Sequence, residues 1–148
     1  MSLELAVQIA TVITLLLTAG TLLFGIWSFR KQMNWQVYLT YTERYEKILG
    51  AFPSGALESR LRLGETLPPQ SEELRICILK YLNLSSEEFF LYQTGFVSKK
   101  IWNIWRPEIE RAVRTPMLKR EWQRIRHEFK SYPEFFAFVE RVQSDKPS

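Results

Sequence analysis

The residues best able to do chemistry gather in "YLNLSSEEFF", residues 81–90. At helical spacing Asn83 lies one turn before Glu87, and Glu88 follows directly. An amide and two carboxylates buried together can hold a proton or a cation, because a carboxylate taken out of water needs a compensating charge or hydrogen bond. Two plainer readings stand beside this one. The run is also what a solvent-facing helix surface looks like, or a second N-cap at Ser85 with Glu88 closing a capping box.

Other catalytic signals are missing from the sequence. It has no glycine-rich phosphate loop, no nucleophile elbow and no Cys/His metal spacing. His127 is the only histidine, so a His-based metal cluster within one chain is excluded. The Glu-x-x-His pairs of di-iron bundles are absent too. Cys77 is the only cysteine, which rules out an intrachain disulfide and agrees with a reducing compartment. Its apolar setting, "LRICILKYL", predicts a buried and inert thiol. The chain therefore reads as non-enzymatic and without a cofactor. An enzymatic alternative would have to centre on Asn83 and Glu87.

Charge offers a binding reading. Residues 111–130 hold seven basic side chains against Glu121 and Glu128, while the whole chain carries a net charge of only +4. Lys119, Arg120, Arg124, Arg126 and Lys130 form a stripe suited to an anionic partner. Near an anionic leaflet each such residue contributes about 1 kcal/mol of attraction. A solvated helix face explains the same stripe, as does an acidic protein partner. Nucleic acid is disfavoured, because the aromatics follow the core period instead of alternating along a groove.

The elements that would position these residues begin with an apolar run. Residues 5–29 contain no charged side chain. As a helix this stretch spans roughly 37 Å, longer than a ~30 Å hydrocarbon core. A cleaved signal peptide fits poorly: the N-terminal "MSLEL" has no basic residue, the apolar core is long, and no Ala-x-Ala pattern follows. Arg30 and Lys31 follow the span and none precedes it, so the positive-inside rule puts the N-terminus outside and residues 32–148 in the cytoplasm. The expected location is the cell's inner (plasma) membrane, crossed once.

Within the span Thr11, Thr14, Thr18, Thr21, Gly25 and Ser28 recur every three or four residues. Small side chains at that spacing make a seam on which another membrane helix can pack closely. Threonine also bonds its hydroxyl to its own helix and is then merely tolerated. The expected partners are membrane lipid and either a second copy of the chain or another membrane protein.

The helical period continues through Trp35, Tyr38, Tyr41, Tyr45, Ile48 and Leu49, predicting one helix over about residues 3–49. A turn-rich connector holds a short helix near residues 56–63, and Pro68-Pro69 closes it. Ser71 should cap a helix over about residues 72–94, ended by Gly95, with Leu74, Ile78, Leu82, Phe89 and Tyr92 facing the core. Ser98 should cap the next helix, with a kink or local break at Pro107. Thr115-Pro116 starts another, on which Leu118, Trp122, Ile125 and Phe129 share a face. Ser131 and Glu134 fit a capping box before the last helix, whose Phe135, Phe138, Val139 and Val142 pack inward.

No strand alternation or repeat is present, so the class is all-α: one transmembrane helix continuing into a small cytoplasmic helical bundle. The expected organisation is an anchor over residues 1–31, a helical extension and turn over 32–55, a helical domain over 56–143 and a tail over 144–148.

The stretches "YLNLSSEEFFLYQTGFVSKKIWNIW", "TPMLKREWQRIRHEF" and "YPEFFAFVE" carry a resemblance. Together with the anchor layout, the chain resembles small bacterial single-pass membrane proteins with a helical cytoplasmic domain. That family has no assigned activity, so the resemblance implies the layout and no catalytic residue. The resulting expectation is a membrane-anchored interaction or assembly protein. Its alternative is a peripheral binder of anionic lipid or nucleic acid through residues 111–130.

Overall fold

The computed structural model describes residues 3–61 and 67–145. Every described regular element is helical: α1 Leu3–Gly50, α2 Ser54–Leu61, α3 Glu72–Gln93, α4 Lys99–Val113, α5 Pro116–Ile125, a 3-10 helix over Arg126–Ser131, and α6 Pro133–Ser144. The all-α class holds. The chain divides into two units, Met1–Val37 and Tyr38–Ser148.

The first unit is the N-terminal part of α1. None of its described residues is buried. The large apolar side chains of residues 5–29, Leu15, Leu16, Leu22, Leu23 and Ile26 among them, are all exposed. By length and composition this helix can cross a membrane.

The second unit has a core. Every buried apolar residue among those described falls between Phe52 and Val142. α3 packs against α4, α5 and α6, and α4 packs against α6. Leu74, Ile78 and Leu82, spaced one turn apart on α3, are buried against that ring of helices. Burying a side chain of this size contributes about 1.5–3 kcal/mol. Aromatic rings fill the rest. The Phe89 and Phe138 centroids lie 5.1 Å apart, and Tyr92 stacks on Trp102 at 4.8 Å. Trp122 meets Phe129 and Phe136 at 5.5 Å each.

Helix ends follow the expected chemistry in most places. The Leu74 amide donates to Ser71 Oγ at 3.1 Å. Gly95, at φ +71°, stands just beyond the end of α3, where only glycine adopts the left-handed region without strain. The Gly95 and Phe96 amides donate back to the Tyr92 and Leu91 carbonyls, the pairing of a Schellman motif. Thr115 joins two helices: its hydroxyl donates to the Ala112 carbonyl at 2.7 Å and accepts from the Leu118 amide at 3.4 Å. The ends of α4 and α6 satisfy each other. Gln143 Nε2 donates to the Val113 carbonyl at 3.0 Å, and Arg114 Nε donates to the Val142 carbonyl at 3.2 Å.

Four local expectations need correction. Of the kink or local break expected at Pro107, the break is absent, since α4 continues through that residue. Proline deprives the Asn103 carbonyl of its donor, but Asn103 and Pro107 are both exposed, so water can take the donor's place. The face of Trp122, Ile125 and Phe129 does not belong to one α-helix, because the chain tightens into the 3-10 helix after Ile125. Ser131 lies in that helix, so it caps nothing. Tyr132 occupies the N-cap of α6 without a side-chain bond, and Pro133 starts the helix by fixing its own backbone. The short helix α2 begins at Ser54, two residues early, because the Pro53 carbonyl accepts from the Ala56 and Leu57 amides at 2.9 and 3.1 Å. The expected end of that helix at Leu63 lies outside the described residues.

Candidate functional site

The seam residues all lie on the helix of the first unit. Thr11, Thr14, Thr18, Thr21, Gly25 and Ser28 fall within an arc of about 100° at helical geometry. The four threonine hydroxyls donate to the carbonyls of Val7, Ala10, Thr14 and Leu17, at 2.8 to 2.9 Å. Each therefore satisfies its polar group within its own helix. A Cβ added at Gly25 would meet nothing within 4 Å, so no close packing inside the chain requires glycine there.

The basic stripe of the second unit is built differently from its sequence appearance. Glu121 is fully buried, and Arg120 Nε and Arg124 Nη1 each donate to its carboxylate at 2.9 Å. Arg126 Nη1 reaches Glu140 Oε1 at 3.3 Å and its guanidinium lies 5.4 Å from the Phe136 ring centre. Glu140 Oε1 also accepts from Trp122 Nε1 at 2.6 Å. Arg111 pairs with Glu108. Lys119 and Lys130 are exposed. Five arginines of residues 111–130 thus have partners: Arg111, Arg120 and Arg124 pair within their own helices, while Arg114 and Arg126 reach α6. Their acceptors Glu108, Glu140 and the Val142 carbonyl lie outside residues 111–130, so a count of charge within that window misses them.

The acidic cluster of α3 is split. Asn83 is exposed and lines a cavity of about 430 Å³ with Glu87, Arg44, Lys47 and Lys80, while Glu88 faces another. Glu87 takes a two-pronged ion pair from Arg44, at 2.5 and 3.1 Å, and a hydrogen bond from the Tyr41 hydroxyl at 3.0 Å. Arg44 holds the Glu87 carboxyl below the usual carboxylate range. Burial, followed by Glu87, pushes the Tyr41 phenol up.

Glu88, one residue on, is only 6% exposed, and no hydrogen bond to its carboxyl forms among the described residues. Burial raises it to about 8. At neutral pH it is mostly protonated. α3 continues straight through Ser85, which is buried, so the second N-cap reading fails.

Glu88 lines a cavity of about 240 Å³. The walls are Tyr38, Tyr41, Thr42 and Tyr45 from α1, Tyr81 from α3, and Ile104, Trp105, Glu108 and Ile109 from α4. Tyr38 lies nearly parallel to Trp105 at 6.3 Å, and Tyr41 is tilted against the same indole at 5.5 Å. Sequence reasoning placed Trp105 in the core and the tyrosines on a helical stripe. It did not bring them to one cavity with Glu88, because the three helices converge only in the folded chain.

His127 is exposed, with Nε2 2.9 Å from Glu128 Oε1. Cys77 is buried, and its thiol donates to the Ala51 carbonyl at 3.1 Å, just past the end of α1. Burial pushes that thiol up, away from the reactive thiolate. No cluster of metal-ligating side chains exists among the described residues.

Compared with family models, with curated proteins and with solved structures, the chain matches none of them.

Proposed function

We propose that the chain is a membrane-anchored, non-enzymatic interaction or assembly protein. The observation that carries this reading is the contrast in burial. The helix of the first unit buries none of its described side chains and exposes all the large apolar ones of residues 5–29, while the second unit supplies its own core. A solvated helix with that surface would be costly in water and is at ease in lipid. The first unit then spans the inner (plasma) membrane once. Arg30 and Lys31 favour a cytoplasmic side for the chain that follows, and Trp27, with Lys31 5.2 Å from its ring centre, suits the interface.

In this reading the seam of Thr11, Thr14, Thr18, Thr21, Gly25 and Ser28 is where a second copy or another membrane protein packs. Because the threonine hydroxyls are satisfied on their own helix, the seam acts through close van der Waals fit and not through bonds across helices. The helical domain supplies the docking surface on the cytoplasmic side. Peripheral binding of anionic lipid or nucleic acid through the basic stripe draws less support, since Arg120, Arg124 and Arg126 already serve carboxylates.

The test is cross-linking of the full chain in native membranes, followed by purification in mild detergent. A larger species, either a homo-oligomer or a complex with a membrane protein, is expected. Replacing Thr14, Thr18 and Thr21 together with Leu should weaken it. A solitary wild-type monomer would remove the basis of the proposal, and undiminished cross-linking of the triple variant would remove the seam from it.

A further inference from the structure

Glu88 poses a physical problem. It is 6% exposed and nothing in the described chain bonds its carboxyl, so the surface it keeps opens on the cavity, where a carboxyl short of solvent and of partners is costly. Its neighbours do not solve the problem. Arg44 is committed to Glu87 through both prongs of its guanidinium. Arg111 is committed to Glu108. What Glu88 faces instead is open volume, enclosed by four tyrosines and a tryptophan.

Aromatic walls and one buried acid select a particular class of ligand. The faces of Tyr and Trp rings carry negative potential and attract cations, most effectively where water is excluded. An anion finds no uncommitted cation here, since Arg44 and Arg111 are paired with Glu87 and Glu108, and the ring faces repel it. A metal ion lacks ligands here, since no group of metal-binding side chains occurs among the described residues. At about 240 Å³ the cavity is smaller than the roughly 300–1,000 Å³ of pockets for drug-sized molecules. It is sized for a compact cation.

We propose that this cavity binds a small, free organic cation of the methylated-ammonium class, held against Tyr38, Tyr41, Tyr45, Tyr81 and Trp105 and neutralised by Glu88. Binding then needs Glu88 ionised, so ligand and proton compete for the same carboxyl. The titratable and charged groups around Glu88 are Tyr41, Arg44 and Tyr45 on α1, Tyr81 and Glu87 on α3, and Glu108 on α4, the last paired with Arg111. Of these, Arg44 favours the ionised form and Glu87 opposes it.

The test uses the full chain in a maltoside detergent, which carries no ammonium group of its own. Choline is titrated while tryptophan fluorescence is followed, beside its uncharged isostere 3,3-dimethyl-1-butanol. Choline should bind at least about tenfold more tightly than the isostere. Its affinity should rise from about pH 6 towards about pH 8 and then level off, with a proton released on binding below that point. Glu88→Gln should abolish both the proton release and the pH dependence.

Tyr38→Leu, at a half-buried position, keeps the proposal testable if the Glu88 variant fails to fold, and should weaken choline binding by about tenfold. Equal binding of choline and the alcohol, no saturable binding, or a Glu88→Gln variant that binds with the wild-type pH profile would overturn the proposal. So would tighter binding of glycerophosphocholine than of choline, which would assign the cavity to a phospholipid headgroup.

Discussion

Leu16 and Leu23 in the first unit are 68% and 70% exposed, while Leu74 and Leu82 on α3 are 1% exposed. The side chains are the same; their surroundings are opposite. On α3 one side, carrying Leu74, Ile78 and Leu82, is buried together with Ser85, Ser86 and Glu88, while Asn83 and Phe90 on the other side are exposed. In the first unit residues 5–29 offer no polar face beyond the threonine seam, and those threonines are turned to their own backbone. On α4 and α5 the buried residues, Trp102, Trp105 and Ile109 on one and Leu118, Trp122 and Ile125 on the other, recur every three or four positions, and that periodicity tells a helix which neighbour to seek. A helix apolar on every side needs an apolar medium instead.

The comparison can be broken most severely in the core. Trp122→Ala should destabilise the second unit by about 3–5 kcal/mol, read as a lower denaturation midpoint of the full chain in detergent. Leu16→Ala should leave that midpoint unchanged within about 0.5 kcal/mol. Equal losses from the two substitutions would abolish the distinction between the units.

Glu88 and Glu87 sharpen the same lesson at adjacent positions. The folded chain holds Glu88 at about 8, above its unfolded value near 4.3, so the folded state keeps a proton that the unfolded state gives up. Stability should therefore fall as pH rises between those values, by at most about 1.4 kcal/mol per unit, and level off above about pH 8. Glu88→Gln should flatten that fall. A wild-type stability that climbs over the same interval would contradict the assignment.

Glu87 works in the other direction. Its carboxyl is held low by Arg44, so its contribution is present above the unfolded value and is lost as pH falls through the folded one. Arg44 and Glu87 are both more than a third exposed, which limits the pair to about 1 kcal/mol or less. Arg44→Met should cost no more than that, measured by chemical denaturation at neutral pH.

Much of the fold was legible in the sequence because its signals are local. Ser71, Ser98 and Thr115 cap helices within three residues of themselves, and Gly95 ends α3 through its own backbone freedom. The charge-free run needs only counting. What stayed illegible depends on distant partners or on small energy differences. Glu87 meets Arg44 across 43 residues, and Glu140 meets Arg126 from another helix. The 3-10 helix at Arg126–Ser131 differs from an α-turn by one residue of hydrogen-bond register, which residue types do not specify. The aromatic cavity needs three helices in place at once. Its tyrosines and Trp105 resemble core residues in any one-dimensional reading, and Glu88 reads there as one of a polar cluster with Asn83 and Glu87.

The claim on which the account rests is that the first unit lives in lipid. Membranes from cells making the full chain should be washed at alkaline pH, which strips peripheral proteins, and then extracted with detergent. The wild-type chain should stay with the membranes through the wash and leave only with detergent. Leu16→Arg with Leu17→Arg, each costing about 2.5–3.5 kcal/mol at the centre of a span, should lose that retention. A wild-type chain that washes off at alkaline pH would contradict the account.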